Sequence, residues 1–205
     1  MKIILKITFV LLLLVSCKDA NDSKALEGVM NEVTGKNEDV NQKYDLLLKD
    51  LGTKTVLSSE QLLEAFPEKL GKLSLDSKEN GNNEPRITSS KTVVGSFGDN
   101  KVRMEILDAA GENAYSAIIP LKMLHLNKVT SEYNNTIRYS KKERNELLTF
   151  GTDRDEAVGA DYEADIRFLY DNRFYVTLEG KGMNVDELWE AISIDDLSRF
   201  KAFNK

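Results

Sequence analysis

The sequence predicts an α+β fold: an antiparallel sheet of about five to seven strands with helices packed on one face, preceded by an N-terminal helical or flexible stalk. Three observations predict it. Tyr162, Ala164, Ile166 and Phe168, and then Phe174, Val176 and Leu178, alternate with polar residues at period two, the pattern of paired strands with one covered face. Val185, Leu188, Trp189 and Ile192 follow at i, i+3, i+4 and i+7, a helical stripe that must bury against such a face. Near the start, Leu26, Met30, Val33, Asn37, Val40, Tyr44, Leu47 and Leu51 recur at alternating spacings of 4 and 3, a heptad seam.

In chain order, Lys2 and Lys6 lead into Ile7–Val15, nine residues that are apolar apart from Thr8. At about 1.5 Å per residue that run is far shorter than a hydrocarbon core of roughly 30 Å, so it reads as the apolar part of a signal peptide. Leu14-Val15-Ser16-Cys17 ends it, and these four residues resemble the bacterial lipobox. The resemblance implies diacylglycerol on the Cys17 sulfur, cleavage before Cys17 and a further acyl chain on the new amino terminus. Each buried methylene contributes about 0.8 kcal/mol, so such an anchor is effectively permanent. The expected organisation is a lipoprotein signal peptide at 1–16, anchor and stalk at 17–51, and an α+β domain at 52–205.

Removing 16 of 205 residues leaves 189, about one domain and an appendage. The chain carries 28 basic and 34 acidic residues, and loss of Lys2 and Lys6 takes its net charge from −6 to −8. Phosphate backbones need a basic surface, so nucleic acid is not an expected partner. Cys17 is the only cysteine, and acylation of its sulfur leaves no thiol for a disulfide, a nucleophile or a metal. The polar residues Lys18-Asp19-Ala20-Asn21-Asp22 resemble the surface-export signal of Bacteroidota-type lipoproteins, with Ala20 and Asn21 interrupting the acidic pair. That resemblance implies an outer-membrane anchor in the cell envelope, facing either the surface or the periplasm.

The seam from Leu26 to Leu51 has three readings: a helix lying along its own domain or standing as a stalk, a coiled coil that self-associates through 26–51, or a partly disordered tether. Asn37 in the seam is a register-setting residue of coiled coils, whereas Thr34 and Gly35 are poor helix formers. Gly52-Thr53 ends the segment, and Ser58 with Gln61 forms a capping box for a short helix that Pro67 stops at Phe66. A brief extended piece, Lys72–Leu75, precedes an exposed loop around Asn80–Pro85. Strands are expected at Thr92–Phe97 and Lys101–Leu107, joined by Gly98-Asp99-Asn100, which tolerate positive φ. A helix then places Ala114, Ala117, Ile118, Leu121, Leu124 and His125 on one face, with Pro120 starting or kinking it. Strand-like pieces Thr136–Tyr139 and Glu146–Phe150 precede a charged loop, 151–156.

In the last hairpin a two-residue turn at Asp171-Asn172 would set Arg167 against Val176 and mix the faces. A three-residue loop, Tyr170-Asp171-Asn172, sets Phe168 against Phe174, Ile166 against Val176 and Ala164 against Leu178, with Asn172 left-handed. Asn184 then caps the final helix, with Glu187 at its third position. From Ser58 onward, and above all at Asp171-Asn172-Arg173-Phe174-Tyr175-Val176, Leu178-Glu179-Gly180 and Asp186-Glu187-Leu188, the chain resembles uncharacterised Bacteroidota-type lipoproteins with an anchor, a helical stalk and an α+β domain. The resemblance carries over no catalytic residue.

Candidate chemistry is sparse, and no catalytic residue, metal ligand or cofactor is expected. His125 is the only histidine and stands between Leu124 and Leu126, the setting of a packed residue rather than a base. Gly95-Ser96-Phe97-Gly98 lacks the strand-to-helix context of a nucleophile elbow, and Gly180-Lys181-Gly182 lacks the rest of a phosphate loop. Asp153, Asp155, Glu156, Asp161, Glu163 and Asp165 do not match an EF-hand, since Val158 stands where its glycine belongs. Glu163 and Asp165 alternate with Arg167 as on a solvated sheet face. The expected function is therefore a non-enzymatic binding or envelope-interaction module meeting the membrane through lipid on Cys17 and an envelope protein or glycan through its domain. An envelope hydrolase and an immunity or inhibitor lipoprotein are the alternatives.

Overall fold

The computed structural model describes residues 38–76, 85–89, 91–127, 136–155 and 159–204. The expected signal peptide, Cys17, the seam from Leu26 to Asn37 and most of the loop expected at 80–85 lie outside them. Contacts divide the chain between Lys36 and Asn37, and the second unit holds all of the described residues.

The first element of that unit is a helix, α1 (Glu38–Thr53), with Tyr44 and Leu51 buried. Val40, Tyr44, Leu47 and Leu51, the described part of the heptad seam, all pack into the domain itself, as does Leu48. The folded unit thus takes in α1, and the boundary expected at 51/52 falls inside this helix.

The capping box opens α2 (Ser59–Ala65): Gln61 N–H donates to Ser58 Oγ at 3.2 Å and Ser58 N–H to Gln61 Oε1 at 2.8 Å. Before Pro67, Phe66 turns extended at ψ 132° and the helix ends. A small hairpin, β1 (Lys69–Leu70) and β2 (Leu73–Ser74), comes next.

The main sheet holds β3 (Arg86–Ser89), β4 (Thr92–Phe97), β5 (Val102–Asp108), β6 (Ile137–Arg144), β7 (Leu147–Arg154), β8 (Ala164–Tyr170) and β9 (Phe174–Gly180). The order is β3-β4-β5-β9-β8-β7-β6, every pair antiparallel. Two meanders, β3–β5 and β6–β9, therefore meet along one seam, β5 against β9. Between them in sequence runs α3 (Ala114–Leu126), entered through a 3-10 turn and containing Pro120. The chain closes with α4 (Val185–Ala191), capped by Asn184 and Glu187, another 3-10 turn and α5 (Ser198–Lys201).

The seven strands agree with the expected α+β antiparallel architecture, but helices cover both faces rather than one. Ile106, Phe168 and Val176 join a core with α2, α4 and Phe200, whereas their neighbours Leu107, Leu169 and Tyr175 join one with α1 and α3. The second face is apolar only at one end of the strands, so its alternation reads as polar while a helix pair still finds a dry patch.

Two further expectations change. Where a charged loop is expected at 151–156, residues 151–154 are the second half of β7, and β6 runs on to Arg144. The segment's charges are neutralised across the sheet by Arg154 with Asp165, and Asp153 Oδ1 accepts the Val185 N–H at 2.6 Å. A two-residue turn with left-handed Asn145 and Glu146, φ 48° and 64°, joins the strands.

The last hairpin keeps the expected faces but shifts its register by two. Tyr170 opposes Phe174, Phe168 opposes Val176 and Ile166 opposes Leu178, around the loop Asp171-Asn172-Arg173. Asn172 is left-handed as expected, φ 53°, and so is Asp171, φ 51°. Arg173 N–H returns to Tyr170 O at 3.1 Å, leaving the arginine an extra residue whose side chain turns inward.

Candidate functional site

Arginine 173 finds its partner at the end of β5, where Asp108 continues the buried parity of Val102, Met104 and Ile106. The two side chains are 2% and 0% exposed. Nε donates to Asp108 Oδ1 at 2.8 Å and Nη2 to Oδ2 at 3.0 Å, and Nη2 and Nη1 reach the carbonyls of Thr55 and Phe203 at 2.8 and 3.1 Å. Asp108 also accepts from Leu57 and Ala110 N–H, at 2.8 and 3.2 Å. The pair ties the α1–α2 connection, both core strands and the C-terminus into one point. Its atoms are satisfied from within the chain, so it is a fastening and leaves no group for a ligand.

A second charged constellation lies on the α1 and α3 face, beyond the ends of those helices' apolar patch. One cross-strand row runs Ser96, Arg103, Glu179, Asp165, Thr152, Tyr139, and the next runs Val94, Glu105, Thr177, Arg167, Phe150, Lys141. Arg103 holds Glu179 and, at 2.9 Å, Glu105. Asp165 takes Arg154 and, at 3.4 Å, Arg167 Nε and Thr152 Oγ1. Asp165 is 2% exposed, so this is not the solvated face that its alternation with Arg167 implies. Two guanidinium groups flank this one buried carboxylate, and the row presents ionic hydrogen-bonding edges.

The other carboxylates do not join it. Glu163 accepts the Gly182 N–H at 2.7 Å on an exposed turn, and that bond holds its carboxyl below the ordinary glutamate range. Asp153 points to the start of α4, and Glu156 is outside the described residues. No three carboxylate or imidazole groups converge among the described residues.

His125 is half-buried at the end of α3, its Nδ1 3.2 Å from the Tyr44 hydroxyl and its ring edge-on to Tyr44. Burial, reinforced by Lys141 and Lys43, pushes its pKa below 6.5. Burial also lifts Tyr44 to about 12, so the one hydroxyl at hand is a poor nucleophile and the pair reads as packing. Gly95 is explained by Phe66, whose ring lies 2.6 Å from where a Cβ would stand, and Gly180 by Met183 at 2.7 Å. Ser96 is buried in mid-strand beside Arg103.

The clefts that indent the described surface include these three. A groove of about 680 Å3 follows Asp39, Lys43, Leu46 and Asp50 on α1 to Asn172 at the hairpin tip. A charged one of about 390 Å3 lies between Glu68-Lys69 and Asp195–Arg199, its cations already paired with Asp196 and Glu68. A smaller one, about 150 Å3, sits under Trp189 beside Asn145. Neither Arg103 nor Asp165 lines any of these three.

Sequence reasoning missed Arg173, Asp108 and the burial of Asp165. Asp108 was the readable signal, since a carboxylate at a core parity position calls for a buried cation. Set against family models, curated proteins and solved structures, the chain matches none.

Proposed function

We propose that the protein is a lipid-anchored lipoprotein of the cell envelope, tethered to the outer membrane through Cys17, whose α+β domain is a non-enzymatic binding module for an envelope protein or glycan. The observation that carries this reading is the lipobox-like Leu14-Val15-Ser16-Cys17 at the end of an apolar run that spans Ile7–Val15, with its cysteine the only one in 205 residues. The domain's chemistry supports the second half. Its buried carboxylates are paired with arginine, and its single histidine faces a tyrosine of raised pKa. What such a surface offers is a rigid ionic pattern on sheet strands, suited to recognition by shape and charge.

Mass spectrometry of the membrane-extracted protein is expected to show an acylated amino-terminal cysteine at position 17, and Cys17→Ala is expected to move the chain from the detergent phase to water. A wild-type protein that is water-soluble with an unmodified Cys17 refutes the anchor.

A further inference from the structure

Helix α3 is apolar on both sides. Inward it buries Ala114, Ala117, Ile118, Leu121 and Leu126, and none of its 13 residues is acidic in a chain that holds 34 acidic residues. Outward, Tyr115, Ile119 and Met123 stand at i, i+4 and i+8 in one stripe, with Tyr115 67% and Met123 50% exposed. Lys122, the one lysine of the helix, is turned aside into an ion pair with Asp45 of α1 at 2.9 Å. A surface helix ordinarily shows solvent a charged or polar face; beside Ser116 and Pro120 this one shows it an aromatic ring, a thioether and part of a branched aliphatic.

We infer that this outward stripe of α3 rests in the interfacial layer of the membrane that carries the anchor, with the lipid surface as its occupant. The inference rests on the lipoprotein reading above. Where the tether enters argues for lipid over a second copy. Helices α1 and α3 are antiparallel: Tyr44 and Asp45 meet His125 and Lys122 at one end, while Gly111 abuts Val56 at the other. The start of α1 at Glu38 therefore lies at the Met123 end of α3. Only 20 residues separate Cys17 from Glu38, a reach of at most about 70 Å even when fully extended. An anchor on so short a leash keeps the stripe at high effective concentration near the bilayer, so a contact too weak to bind a free protein is still populated. Tyrosine at one end of such a stripe has the amphipathic shape that interfacial residues share.

The test uses the full, lipidated chain in phosphatidylcholine vesicles. With Cys17 acylated, a Met123→Cys variant offers a single thiol for an environment-sensitive nitrobenzoxadiazole probe, and Leu63→Cys on α2 provides a comparison on the opposite face. The probe at 123 is expected to shift to the blue and to be quenched several-fold more by spin-labelled lipid than the probe at 63, and Tyr115→Asp is expected to abolish the difference. Equal, aqueous behaviour of both probes on chains that float with the vesicles overturns the inference and leaves the anchor standing. Chains that do not float overturn both. A blue shift that persists in the Cys17→Ala, Met123→Cys chain without lipid, and grows with protein concentration, assigns the stripe to a second copy and overturns it as well.

Discussion

The Asp108–Arg173 pair makes the fold sensitive to one side chain. Truncating Arg173 strands a carboxylate with no solvent access, and breaking such a buried pair costs about 3–5 kcal/mol. Arg173→Ala is therefore expected to lose that much in urea unfolding. Arg173→Lys recovers little of it, because one ammonium cannot reach both Asp108 oxygens and the Thr55 and Phe203 carbonyls in a planar fork. A lysine variant as stable as the parent refutes the four-point fastening.

His125 gives a second expectation, in pH. Its folded pKa lies below the unfolded 6.5, first through burial and then through Lys141 and Lys43, so the unfolded chain takes up the proton first as pH falls. The neutral imidazole's stabilisation is complete above 6.5 and is lost on descending from there to the folded pKa. Proton NMR of this one histidine is expected to give a midpoint under 6.5, and His125→Gln to flatten that part of the stability profile while costing about 1–3 kcal/mol at neutral pH. A midpoint at or above 6.5 contradicts the packed placement beside Tyr44.

Among elements, the legible ones obeyed strictly local rules. The two capping boxes, the stop at Pro67 and the Gly98-Asp99-Asn100 turn, with φ of 65°, 58° and 60°, depend on neighbours three or four residues apart and were readable as such. Alternation in the last hairpin carried the faces, because a slip of one residue would bury Arg167. It did not carry the register, because a slip of two preserves every face. The choice between those registers was made by Asp108, 65 residues away from Arg173. Charge misled in β7 for a related reason: Thr152, Asp153 and Arg154 read as a loop until their partners on β8 and α4 are in place. The same separation hid the ionic rows of the candidate site, whose members come from strands distant in sequence.

The left-handed loop is testable at element scale. Asn172→Val forces a β-branched residue to φ 53° and is expected to cost about 1–2 kcal/mol, while Asn172→Gly is tolerated. Thermal melting of both variants together with the parent decides it: three coincident curves refute the turn.

For the whole molecule, the helix pair α1–α3 and the group α2, α4 and α5 give the sheet two separate dry layers, and β6 and β3 are left as its edges. These edges are unlike. β3 has four residues with an irregular register, whereas β6 has eight in unbroken register and carries Arg138, Lys141, Lys142 and Arg144. Basic residues along an edge discourage a second sheet from adding to it. Part of that guard is anchored: Arg144 and Lys142 bind Asp186 at 2.6 and 3.2 Å and hold its carboxyl below the ordinary aspartate range.

The seam between β5 and β9 has a consequence for the order in which the protein is made. Residues 102–108 lie unpaired on one side until 174–180 have left the ribosome, and Asp108 has no cation until Arg173 arrives. A polypeptide arrested with only its first 170 or so residues emerged is therefore expected to stay open to protease, and the finished chain to resist it; a protected β3–β5 fragment at arrest contradicts this. The sheet thus cannot close until residues 174–180 have emerged, and up to that moment the nascent chain stays threadable.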